Sequence, residues 1–106
     1  MEVRVTARNG EISQDIQQKI SRKVSRLPRF FDRTTGIQVV CDMSHSSEPK
    51  VEIVVSAEET NDFFASATGT NVIAATDLAV DKVEQQLRKH KNKLIEHSRG
   101  RDRDAD

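Results

Sequence analysis

The side chains in this 106-residue chain whose types and spacing could do chemistry are cations. Arg88, Lys89, Lys91 and Lys93 fall within six positions, with His90 between them. Lys19, Arg22, Lys23 and Arg26 form an earlier group, each three or four positions from another. Rows of cations at helical spacing hold phosphates: they neutralise a nucleic-acid backbone and release its counterions without reading its sequence. The competing role is a solvated helix end, where each cation complements the dipole by about 0.3–1 kcal/mol. That role explains some of the charge near residue 90, but not its one-sidedness.

No comparable set marks a catalytic centre. His45, His90 and His97 are not spaced as a metal set or an acid–base pair, and there is no glycine-rich phosphate loop. Glu58-Glu59 reads as solvated acid in a turn. The single cysteine, Cys41, lies in the apolar run IQVVCDM and reads as a small core residue. No enzyme is expected, and no cofactor, metal or small-molecule substrate. MEVRVTARNG lacks the apolar stretch of an export signal, and no run of about 18 apolar residues could span a membrane. The expected location is cytoplasmic, with no membrane partner.

The formal charge is zero, yet unevenly spread. Residues 1–33 hold eight Lys/Arg against four Asp/Glu; residues 34–81 hold one against eight; residues 82–106 hold eight against five. A neutral total therefore does not exclude a nucleic-acid partner.

Hydrophobic period sets out the elements that must position these cations. Glu2–Arg8 alternates, with Val3, Val5 and Ala7 on one side, as a half-buried strand does. Ser13 can cap a helix in which Ile16, Ile20, Val24 and Leu27 recur until Pro28 ends it. Ile37–Met43, Lys50–Ala57 and Phe63–Thr68 read as three further strands, with Ser44–Pro49 as a turn. Asn71 can cap a long helix from about Val72 to Ile95. The expected fold is α+β in the order β-α-β-β-β-α: a four-stranded sheet with two helices packed on one face. Residues 1–97 would form one domain, and 98–106, SRGRDRDAD, a disordered charged tail.

At about 100° per residue, Lys19, Arg22, Lys23 and Arg26 share one flank of the first helix, beside its apolar stripe. Lys82, Gln86, Lys89 and Lys93 share one flank of the second. Each flank is expected to carry no acid among its cations. Arg88 has Glu84 four residues before it and reads as a surface ion pair. His90 lies at the edge of the apolar stripe and reads as packing; Lys91 borders the stripe on its other side. Phe30-Phe31 reads as core rather than as a base-stacking platform, so shape-based binding to structured RNA fits better than single-strand binding.

Three stretches resemble the bacterial ribosome hibernation-promoting factors, also called ribosome-associated translation inhibitors. They are Lys23-Val24-Ser25-Arg26-Leu27 with Phe31-Asp32-Arg33, Ala74-Ala75-Thr76-Asp77-Leu78 with Asp81-Lys82, and Gln86 through Leu94. The resemblance covers about residues 1–95 and is to the short form. It implies the same β-α-β-β-β-α fold and binding to the small (30S) subunit's decoding region, on 16S rRNA and in the 70S ribosome. There it implies occupation of the tRNA and mRNA path and silencing of translation under stress or in stationary phase. It also implies RNA-facing roles for Lys23, Arg26, Lys82, Lys89, Lys91 and Lys93, and a monomer off the ribosome. The sequence departs from the family pattern at Gln85, Ile73 and Pro28, the last of which should shorten the first helix.

The alternative is a protein–protein interaction module using the sheet edge or its exposed face. Salt separates the two, because phosphate binding falls steeply with ionic strength and an apolar contact does not. Deleting 98–106 should leave the melting temperature nearly unchanged, as a thermal melt would show.

Overall fold

Two-residue alternation makes the sheet. In β1 (Glu2–Arg8), Val3, Val5 and Ala7 face one side while Arg4, Thr6 and Arg8 face the other. β2 (Thr34–Asp42), β3 (Lys50–Ala57) and β4 (Phe63–Thr68) follow the same rule. The structure, a computed structural model, describes the backbone of residues 1–99 and the side chains of residues 1–91. Its strands form one sheet in the order β1-β2-β3-β4. β1 runs parallel to β2 with Val5 opposite Val39, and the other two pairs are antiparallel. A parallel neighbour needs a crossover, and α1 (Gln14–Val24) supplies it. α2 (Val72–Arg99) follows β4. Both helices lie on one face of the sheet, the architecture expected from the sequence.

The core is the layer between them. Val5, Val39, Ile53 and Ala65 form one row across the sheet, and each is buried. Ile20 and Val24 come down from α1; Ala75, Ala79, Val83 and Leu87 come down from α2. Each buried Val, Ile or Leu contributes about 1.5–3 kcal/mol, and each alanine less. Thr76 is the one buried polar residue among those described, and its hydroxyl donates to the Val72 carbonyl at 2.8 Å.

Both helix starts are capped as expected. The Ser13 hydroxyl accepts from the Ile16 N–H at 3.2 Å, and the Asn71 side chain accepts from the Ala74 N–H at 2.9 Å. Gly69 permits the turn into α2, because a Cβ there would lie 2.7 Å from the Ala75 nitrogen.

Three boundaries differ from the sequence reading. α1 ends at Val24, and Leu27–Phe30 forms a separate 3₁₀ turn, η1, with Pro28 in its first positions. Proline's fixed φ and missing N–H suit a helix start and forbid a helix interior. Leu27 is fully buried all the same. β2 starts at Thr34 rather than Ile37, because an irregularity between Thr34 and Gly36 interrupts the alternation. α2 runs to Arg99, so Ser98 and Arg99 are helical, while residues 100–106 of the expected tail lie outside the described residues.

The other face of the sheet is open, and polar except at Val40, Val54 and Phe64. Its most connected group is Asp42, which accepts hydrogen bonds from the Ser44 hydroxyl, the Ser44 N–H, Arg8 and Asn9. These donors, those of Ser44 foremost, hold its carboxyl well below the usual carboxylate range. A carboxyl that is more acidic folded than unfolded adds stability above about pH 4, and that stability is lost as pH falls. Asp42→Asn should therefore lower the melting temperature at pH 7. Below about pH 4 its melting temperature should fall less steeply than the parent's in a pH series of thermal melts.

Candidate functional site

The position of every candidate cation follows from how α2 lies on the sheet. Its buried stripe faces β3 and β4, which sends its two flanks in opposite directions. One flank borders β4. There the Lys82 ammonium donates to the Ser66 carbonyl at 3.0 Å and the Gln86 amide donates to the Phe64 carbonyl at 2.7 Å. Lys89 follows on the same flank and is exposed. Lys93 continues it by spacing, with its side chain outside the described residues.

The other flank of α2 carries Asp77, Asp81 and Glu84 and faces α1 and η1 across a groove of about 490 Å³. Lys23, Arg26 and Arg29 line the opposite wall. Lys23 pairs with Asp77 at 2.8 Å. Contrary to the sequence reading, the first helix's basic flank carries an acid of its own helix, Asp15 in the first turn, and the groove between the helices is charge-balanced. Lys19 and Arg22 remain exposed on α1. Among the described residues, no ion pair engages Lys19, Arg22, Lys82 or Lys89. The two basic flanks do not merge, because α2's acidic flank lies between them.

A helical wheel treats one helix at a time, so it could not show that Lys23 meets Asp77. A signal was present nonetheless: Asp77, Asp81 and Glu84 recur at three- and four-residue spacing. Arg29 was missed because it lies in η1, past the end of the expected helix. Arg88 behaves as expected, 3.3 Å from Glu84, and its guanidinium also lies 4.8 Å from the centre of the Phe30 ring. Phe31 is buried. His90 packs edge-on between Phe31 and Phe63, 5.2 Å from each ring. That leaves no Phe30-Phe31 platform for bases. Lys91 is exposed.

No three His, Cys, Asp or Glu side chains among the described residues are grouped to hold a metal. Cys41 is buried in β2, and burial pushes its thiol up to about 11, which keeps it protonated and a poor nucleophile at neutral pH. No described helix is long and apolar enough to cross a membrane.

Residues 3–95 match the model of the family described as Sigma 54 modulation protein / S30EA ribosomal protein. The chain belongs to that family. The matched span runs from β1 into α2 and includes Lys82, Gln86 and Lys89. The chain is 33% identical over 100 residues to the ribosome hibernation promoting factor of Azotobacter vinelandii, covering 94% of this chain and 92% of the relative. It is 31% identical over 100 residues to the ribosome hibernation promoting factor of Escherichia coli (strain K12), covering 92% of this chain and 100% of the relative. A solved ribosomal subunit interface protein from Coxiella burnetii shares the fold with a TM-score of 0.77 at 22% identity, over 87% of this chain and 99% of that one. The N-terminal domain of Protein Y from Thermus thermophilus does so with a TM-score of 0.73 at 26% identity, over 85% and 99%. The family resemblance read from the three motifs is thereby established.

The Lys23–Asp77 pair is partly exposed, so its coupling should be small. A double-mutant cycle with Lys23→Ala and Asp77→Ala, followed by urea unfolding, should give about 0.2–1 kcal/mol and less at high salt. A coupling above about 2 kcal/mol would mean that the groove is held together by this pair.

Proposed function

We propose that this protein is a ribosome hibernation factor of the cytoplasm. It binds the 30S subunit in the tRNA–mRNA path, alone or within the 70S ribosome, and inhibits translation under stress or in stationary phase. The observation that carries the reading is the outer flank of α2. Lys82 and Lys89 line it at helical spacing, and no described acid pairs with either. Cations without acid partners, aligned along a rigid helix, suit a phosphate backbone, since no ion pair must be broken before contact.

Lys19 and Arg22 provide a second set of free cations on α1. Lys23 and Arg26 stand in the charge-balanced groove, where 16S rRNA would have to compete with Asp77 for Lys23. The strongest phosphate contacts are therefore assigned to Lys89 and Lys93, with Lys82, Lys91 and the α1 cations contributing. Gln86 would act beside them as an uncharged donor when it leaves the Phe64 carbonyl. The protein is a monomer off the ribosome and uses no cofactor. The relatives named as hibernation promoting factors support the ribosomal target.

Pelleting with salt-washed 30S subunits at about 0.1 M salt tests the reading, with binding expected at micromolar concentration or below. Protein that stays in the supernatant defeats it. Lys89→Ala with Lys93→Ala should cost the fold little, since exposed changes are usually within about 0.5 kcal/mol each. The same pair should shrink the slope of log affinity against log salt by about two units. Arg88→Ala should lose less binding than either lysine, because Glu84 and Phe30 already hold that side chain.

A further inference from the structure

The sheet has two free edges, and helix side chains occupy both. β1 and β4 are the outer strands. On β1, the Gln17 amide of α1 donates to the Val5 carbonyl at 3.0 Å. On β4, Lys82 and Gln86 take the Ser66 and Phe64 carbonyls. In an antiparallel ladder alternate residues turn their N–H and C=O away from the neighbouring strand. Phe64 and Ser66 are such residues, since their carbonyls meet α2. The spacing matches as well. Two strand residues advance about 6.7 Å and four helical residues about 6 Å, so one helix flank reaches successive outward carbonyls. An edge left open would be a template for another strand.

We propose that β4 is a strand-pairing surface held closed by Lys82 and Gln86, and that the strand it accepts when both are withdrawn is β4 of a second copy of this chain. Self-complementarity argues for that occupant. Antiparallel pairing about a two-fold axis at Ala65 sets Phe64 opposite Ser66 of the second copy, and the two residues with outward backbone groups then bond reciprocally. The two Phe64 side chains become diagonal neighbours on the open face, about 7–8 Å apart and within reach of aromatic contact. Phe64 is 52% exposed, so the pairing would cover a large apolar surface that this chain leaves in water. β1 offers no such contact, because its open-face residues are Arg4, Thr6 and Arg8. Lys82 and Gln86 are shared with the proposed RNA contact, so the test is run without ribosomes and its failure leaves the ribosome reading untouched.

Lys82→Ala with Gln86→Ala removes both donors at helix positions where alanine is well tolerated. In sedimentation at high-micromolar concentration the parent should run as one chain and the variant as two. Hydrogen exchange at the Phe64 and Ser66 amides should slow about tenfold or more in the concentrated variant relative to a dilute sample. Lys82→Arg with Gln86→Lys keeps both donors and should remain a monomer. A cooperative melt checks the fold; were it lost, Lys82→Met with Gln86→Met would replace the alanine pair. The proposal is overturned if the donor-free variant stays a monomer. It is equally overturned if that variant dimerises without slowing those two amides, or if the donor-keeping variant dimerises to the same extent.

Discussion

The burial of one stripe of α2 against β3 and β4 is the constraint from which the rest of the molecule follows. Small side chains are buried in that layer: Ala75 and Ala79 on the helix, Ala65 and Ala67 on the edge strand. Packed interiors tolerate neither voids nor overlap, so this stripe allows one rotation of the helix about its axis. Once that rotation is set, Lys82, Gln86 and Lys89 must border β4 and Asp77, Asp81 and Glu84 must face α1. The same close approach brings the Lys82 and Gln86 side chains to the carbonyls of the edge strand. Gly69 serves it too, since any side chain there would collide with the start of the helix.

The charges divide according to what surrounds them. In the groove between the helices, three cations face three acids, and the arrangement is internal to the fold. On the outer flank of α2 and along α1, Lys19, Arg22, Lys82 and Lys89 pair with no described carboxylate, and Lys82 donates instead to the Ser66 carbonyl. Exposed ion pairs add little to stability, about 0–1 kcal/mol, so cations without partners cost the fold little and remain available to phosphate. A chain of zero net charge can thus present a basic surface, because three acids of α2 turn into the groove, and Asp42 and Glu52 hold Arg8 on the open face of the sheet.

Lys82 and Gln86 stand where two requirements meet. An edge strand needs its outward carbonyls occupied, and a phosphate-binding helix needs long polar donors on its outer flank. The same residue types at the same four-residue spacing satisfy both, since that spacing matches two residues of strand. The aromatic cluster of Phe31, Phe63 and His90 closes the core further along α2. It uses these aromatic side chains for packing.

Period and punctuation within the sequence determined the elements and their order. Val3-Val5-Ala7 and Val51-Ile53-Val55 alternate, Ser13 and Asn71 cap, and the stripe from Val72 to Leu87 repeats at helical spacing. Each of these signals acts between residues a few positions apart, so the linear chain displays it. The basic flank of each helix was legible for the same reason, as was the Glu84–Arg88 pair. Tertiary structure alone decided what each flank faces. Lys23 meets Asp77 across 54 positions, and Lys82 and Gln86 reach carbonyls 16 and 22 residues away. Nothing in local spacing encodes those encounters. They follow from which apolar stripe is buried on which strand, a choice made by the packing of the whole core.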